Sequence, residues 1–257
     1  MKKTLFLLYG VVSYLAFFGT ILYAIGFVGN LLVPKSIDGA PKVPLLQAIL
    51  TNTAFLLLFA VQHSVMARPA FKRFWTQYVP KPIERSTFVL FTSIILSSMF
   101  ALWQPMGGIV WQIGNETAKT ALLAFYLLGW AIVFLATFLI NHFDLFGLRQ
   151  VWLHFQGKPY VHLPFRIPFL YKYVRHPLYL GFLIAFWSAP VMTVTHLLFA
   201  VATTGYILIA IQLEERDLVD QFGQHYRDYR KQVPMILPIG SKKTVEPNPM
   251  QVSEQKQ

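Results

Sequence analysis

The sequence predicts an all-α fold: a polytopic membrane helix bundle of four transmembrane helices plus a C-terminal helical hairpin, followed by a cytosolic C-terminal segment. Three observations carry this. Of 257 residues, 55% are hydrophobic and only 13% charged, about half the charged share of a soluble globular domain, and the mean hydropathy is +0.50. The chain contains five long runs without Asp, Glu, Lys or Arg. The charges present are lopsided, with 22 Lys and Arg against 11 Asp and Glu, a net charge of +11. Such a balance on a greasy chain reads as a membrane protein with cationic loops. Nucleic-acid binding would need a basic face on a soluble domain, and the chain offers no candidate for one, so no nucleic-acid partner is expected. Cysteine is absent, which excludes disulfides, Cys-ligated zinc and a cysteine nucleophile.

The charge-free runs are 4–34, 43–67, 86–115, 120–143 and 177–213, each long enough for the ~20 apolar residues of a span. Helices are expected near 5–32, 45–66, 86–104 and 120–142. The first run follows Lys2 and Lys3 as in a signal peptide, but its 31 uncharged residues exceed an h-region of roughly 7–15. It reads as a retained anchor. The last run would extend roughly 55 Å as one helix, far beyond a hydrocarbon core of ~30 Å. It contains Ala189-Pro190 followed by the β-branched stretch Val191 to Thr195, where a helix readily breaks. Two arms, about 178–189 and 195–213, make a hairpin whose first arm is short for a full crossing.

Cation placement chooses between a single crossing and a hairpin. With one crossing, the Lys and Arg divide 12 to 10 between the two sides; with a hairpin, 19 of the 22 fall on one side. The positive-inside rule prefers the hairpin, with both termini cytoplasmic, in a bacterial inner membrane. The layout gathers Arg175, His176 and Pro177 at the hairpin entry and Glu214 and Glu215 at its exit. His63, Asn141, His142 and Asp144 fall at the same level. Ionisable groups at membrane depth are costly and mark function. Residues 149–176, rich in aromatics and cations, suit the interface either as an aromatic belt or as a lid. Residues 1–240 form one domain, and 241–257 are expected to be disordered.

The sequence has no G-x-G-x-x-G after a strand, no P-loop and no H-E-x-x-H; the seven histidines are scattered, and no metal is expected. Taken singly, Glu214-Glu215 reads as boundary charge and Arg175-His176-Pro177 as a helix start. Together they match a pattern. Arg175-His176-Pro177-Leu178-Tyr179-Leu180-Gly181 resembles the R-H-P-x-Y-x-G signature of the integral-membrane methyltransferases, which include isoprenylcysteine carboxyl methyltransferase and phospholipid N-methyltransferases. E-E-R-D-L at 214–218, Tyr226, Tyr229, Val233-Pro234 and Pro238 extend the likeness over roughly 173–238. Gln62-His63-Ser64-Val65-Met66-Ala67, Trp103-Gln104-Pro105, Asn141 to Leu148 and Trp187 to Thr193 resemble the nurim-type branch, and within it the bacterial methanethiol S-methyltransferases.

The resemblance implies S-adenosylmethionine as cofactor, bound by Arg175, His176, Pro177, Tyr179, Gly181, Glu214, Glu215, Tyr226 and Tyr229 at the cytosolic face, and a small thiol, methanethiol, as the acceptor yielding dimethyl sulfide. Carboxylates favour a sulfonium, and Arg175 suits the cofactor's carboxylate. A thiol must shed its proton, and an imidazole is a reasonable acceptor: His142 first, oriented by Asp144 or Asn141, then His63; alternatively no side chain acts as base and alignment suffices. Competing readings are methylation of a lipid amine or prenyl-cysteine carboxylate, a non-catalytic nurim-like membrane protein, and a quinone- or heme-linked protein with facing histidines.

Overall fold

The computed structural model describes residues 1–239; the segment 241–257, expected to be disordered, lies outside the described residues. Among the described residues, five helices are long and apolar enough to cross a membrane: α1 (Lys2–Gly29), α2 (Leu45–Ala67), α4 (Lys81–Leu102), α5 (Glu116–Ile140) and α9 (Val194–Phe222). Between α2 and α4 lies the short α3 (Pro69–Trp75), and after α5 come α6 (His142–Leu145) and α7 (Leu148–Phe155). The hairpin is α8 (Pro177–Trp187), strand β2 (Val191–Thr193) and α9; α10 (Gln224–Gln232) closes the described chain. The protein is an all-α membrane bundle, with one two-stranded antiparallel ribbon between β1 (Ile109–Gln112) and β2.

The helix boundaries depart from the charge-free runs for local reasons. The first helix stops at Gly29, short of the expected 32, because Asn30 turns left-handed (φ 54°). The helices α4 and α5 begin earlier than expected, at Lys81 and Glu116, since Pro82 and the Asn115 cap start them outside the apolar window. Asn115 Oδ1 accepts from Ala118 N at 2.9 Å, an N-cap that satisfies a free donor. At its far end α5 stops at Ile140, so His142 opens α6 instead of closing the fourth helix. There Asn141 leaves the helix and caps Asp144 N through Oδ1 at 3.0 Å.

The final run folds back, as cation placement requires. Pro177 starts α8 in a first-turn position where its missing N–H costs nothing. At roughly 16 Å α8 is too short to cross alone, and 188–193 continue as extended chain to β2. Ile109 pairs with Thr193, Trp111 with Met192 and Gln112 with Val191, with a bulge at Val110. Thr193 then caps α9, accepting from His196 N at 3.1 Å, and its hydroxyl donates to Asp38 of the 30–44 loop. This ribbon end closes over a core containing Phe27, Phe100, Trp103, Trp130, Phe186 and Phe199.

The opposite, terminal end carries the starts of α1, α4 and α8 and the ends of α2, α5 and α9. Tyr9 donates to Thr87 at 3.0 Å, and Arg68 at the end of α2 pairs with Asp217 of α9 at 2.7 Å. α5 and α8 cross closely at Gly129 and Gly181: a Cβ on Gly181 would sit 2.6 Å from Gly129 O. Only glycine fits such an approach.

Candidate active site

At the terminal end the hairpin's entry and exit meet. His176 Nε2–H donates to Glu215 Oε1 at 3.0 Å, and Arg175 Nε donates to the same oxygen at 2.7 Å. Arg230 of α10 reaches Oε2 at 3.2 Å. The chain beyond α10 returns to this point, with Arg175 N donating to Pro234 O at 2.9 Å and His176 N to Met235 O at 3.1 Å. Arg175 Nη1 donates to the carbonyls of Val233 (2.5 Å) and Arg230 (3.1 Å). Glu215, 6% exposed, is thereby neutralised, as a buried carboxylate must be. Arg175 is engaged with it; only its Nη2 makes no hydrogen bond among the described residues.

Glu214, the next residue, projects about 100° further round α9 into different company. Tyr179 donates to its Oε2 at 3.0 Å, and Tyr171, Tyr206 and Tyr226 lie within reach of its field. No cation closes to ion-pair distance among the described residues. The phenols of Tyr226 and Tyr229, on α10, are pushed above their ordinary 10.0 mainly by burial, so both remain protonated donors. Tyr229 donates to Tyr171 O at 2.7 Å, and Phe165 packs on both rings. Phe165 of the aromatic segment therefore covers α10. Pro177 and Gly181 are buried at the start of α8 and in its crossing with α5.

The three candidates for proton transfer lie in separate settings. His142, 3% exposed, is held by hydroxyls and not by Asp144 or Asn141. Thr137 donates to Phe134 O at 2.7 Å, so its oxygen accepts from His142 Nδ1–H at 2.8 Å, and Nε2 accepts from Tyr14 at 2.9 Å. The imidazole also stacks on Phe138 at 4.2 Å. Both ring nitrogens are taken, and burial lowers the pKa of the group below its ordinary 6.5. Asp144 cannot orient it because Arg149 (2.8 Å) and Tyr160 (3.3 Å) hold the carboxylate, while Asn141 is spent on its cap. His63 is different. Thr92 donates to Phe88 O at 2.9 Å and can therefore accept from His63 Nδ1–H at 3.4 Å; Nε2 has no partner among the described residues and is not sealed. Its ring packs on Phe88 at 4.9 Å.

Comparison with known proteins bears on what this cluster belongs to. The chain is 51% identical over 244 residues to methanethiol S-methyltransferase of Crocosphaera subtropica, covering 95% of this chain and 96% of that one. To the enzyme of the same name from Mycobacterium tuberculosis it is 52% identical over 238 residues, 93% and 98% of the two chains. The chain belongs to the methanethiol S-methyltransferase family. Rat nurim, 31% identical over 182 residues and 68% of this chain, makes the family's tie to the nurim branch. No family model matches, and no solved structure matches.

Sequence reasoning passed over several residues that the fold brings into this end. Arg230 completes an ion pair with Glu215, while Tyr14 and Thr137 hold His142. Tyr206 accepts from Ser64 at 3.3 Å. Thr137 and Tyr206 sit about one or two helical turns from residues that were singled out and Arg230 stands beside Tyr229, whereas Tyr14 is 128 positions from His142; an isolated Tyr or Thr in an apolar run carries no signal of its own. Arg85 registered only as a loop cation, although it opens the charge-free run of α4.

Proposed function

We propose that this chain is an S-adenosylmethionine-dependent S-methyltransferase converting methanethiol to dimethyl sulfide, with its site at the cytoplasmic face of a bacterial inner membrane. The carrying observation is Glu214, a carboxylate that accepts from Tyr179 at 3.0 Å and has no cation at ion-pair distance among the described residues. Such a carboxylate suits a sulfonium by charge. The full-length relatives named methanethiol S-methyltransferase support the acceptor.

When bound, S-adenosylmethionine supplies a methyl group on a cationic sulfur. The residues of this chain then divide the work. Glu214 and Tyr179 hold the cationic centre. Glu215, Arg175, His176 and Arg230 fix the hairpin entry to α9 and α10, so that Glu214 stays in place. Tyr226 and Tyr229, under Phe165, close the α10 side against water. His63 Nε2, the open imidazole nitrogen, takes the thiol proton; His142, with both nitrogens bonded, holds α1 to α5 and α6. Thiolate and sulfonium lose their charges as the methyl group moves, and sparse water favours their attraction.

Calorimetry on the purified chain tests the donor site. Glu214→Gln should weaken S-adenosylmethionine binding about tenfold or more, a loss of ~1.4 kcal/mol or above, while binding of the product S-adenosylhomocysteine, whose sulfur is neutral, changes little. Equal loss of both ligands, or of neither, would remove the support for Glu214 as the sulfonium partner.

A further inference from the structure

We infer that Arg85 is the seat of the acceptor's anion: its guanidinium pairs with the thiolate while His63 takes the proton. The inference rests on the functional reading above and deepens it. Arg85 stands near the start of α4. Its Nε donates to Leu145 O at 2.8 Å and its guanidinium carbon lies 5.3 Å from the centre of the Phe88 ring. The other side-chain donors make no hydrogen bond among the described residues, and none of them is sealed from solvent. A guanidinium with one hydrogen bond, no carboxylate at ion-pair distance among the described residues and donors still open offers those donors to an anion.

The charged and titratable groups around it say what arrives. Glu84 on its own helix, Asp144 of α6, Tyr160 and Glu214 of α9 act on it through space, as do Lys72 of α3 and His63 of α2. Asp144 is already paired with Arg149. Glu214 presents a negative charge and Arg85 a positive one, neither with an oppositely charged partner at ion-pair distance among the described residues, and each within the other's field alongside Glu84. A sulfonium beside the first and a thiolate beside the second complete both. Arg85 and His63 both pack on the Phe88 ring, at 5.3 Å and 4.9 Å from its centre, which brings the proton acceptor and the thiolate partner into one neighbourhood.

The step balances. The S–H bond of the thiol breaks, with its proton passing to His63 Nε2 and the electron pair staying on sulfur. That pair forms the new S–CH₃ bond as the donor's S–CH₃ bond breaks, leaving two neutral sulfur products, and His63 later returns its proton to water.

The test follows headspace dimethyl sulfide from the purified full chain in lipid nanodiscs, from about pH 6 to 10, for wild type, Arg85→Gln and Arg85→Lys, with S-adenosylhomocysteine binding measured in parallel. A cation next to a thiol lowers its pKa by about 1–3 units, so Arg85→Gln should raise the methanethiol KM about tenfold or more at pH 7, with the penalty shrinking as pH rises. Arg85→Lys should recover part of the loss, and S-adenosylhomocysteine affinity should stay within about twofold, which also shows that the variant is folded. A penalty equal at every pH, or none, would overturn the assignment. Loss of S-adenosylhomocysteine binding in step with activity would move Arg85 to the donor's carboxylate. A wild type that makes no dimethyl sulfide would overturn the functional reading itself, a result distinct from an active wild type matched by an equally active Arg85→Gln.

Discussion

Glu214 and Glu215 are chemically identical neighbours with opposite surroundings, and the difference sets what their replacement should do. Glu215 has Arg175, His176 and Arg230 around it and is 6% exposed. Removing one partner of such a buried pair costs about 3–5 kcal/mol, so Glu215→Gln should lower the unfolding free energy in detergent by that order, whereas Glu214→Gln should leave it nearly unchanged. His142 supplies a pH signature. Burial holds its pKa below 6.5 in the folded chain, so between that depressed value and 6.5 the unfolded chain binds more protons. Its contribution to stability is then complete above pH 6.5 and drains as pH falls below it. Thermal unfolding followed from pH 8 to 5 should show that loss, and His142→Gln should flatten this part of the slope; an unchanged slope would contradict it. The Glu pair was legible as a motif, but its asymmetry was not, because Arg230 reaches Glu215 only through the turn at Gly223. Likewise His142 stood out as a polar residue at a helix end. Its tautomer depends on Tyr14, 128 positions away.

Among the elements, the hairpin was the most legible and the ribbon the least. Pro190, the length of the run and the sorting of cations all require the chain to double back, and α8 and α9 do so. Nothing in Ile109–Gln112 announces a strand, since four residues alternate too briefly to set a period; pairing with Val191–Thr193 creates it. The crossing of α5 and α8 yields a contrast between two glycines. On Gly181 a Cβ would meet Gly129 O at 2.6 Å, whereas on Gly205, in α9, it would meet nothing within 4 Å. Gly181→Ala should destabilise by about 1–3 kcal/mol through overpacking, and Gly205→Ala should be neutral or stabilise by up to ~1 kcal/mol through helix propensity. Denaturant unfolding of the two variants checks this; equal midpoints would refute the close crossing as a constraint.

For the whole molecule, we propose that the excess of cations reflects an orientation with both termini cytoplasmic. The layout that puts 19 of 22 Lys and Arg on one side also places the starts of α1 and α8 and the end of α9 at one end of the bundle. The absence of cysteine makes this measurable. Lys3→Cys and Gln224→Cys should resist a membrane-impermeant maleimide in intact cells, while Gly114→Cys, in the loop before α5, should label readily; the reverse pattern would invert the topology. The central claim, methyl transfer to a small thiol at that terminal end, meets its most direct test in one assay. Purified chain in nanodiscs receives S-adenosylmethionine and methanethiol, and the headspace is analysed for dimethyl sulfide. Dimethyl sulfide should form in amounts that scale with enzyme and with both substrates. Folded protein that binds the donor yet yields no dimethyl sulfide, or passes the methyl group to lipid instead, would contradict it.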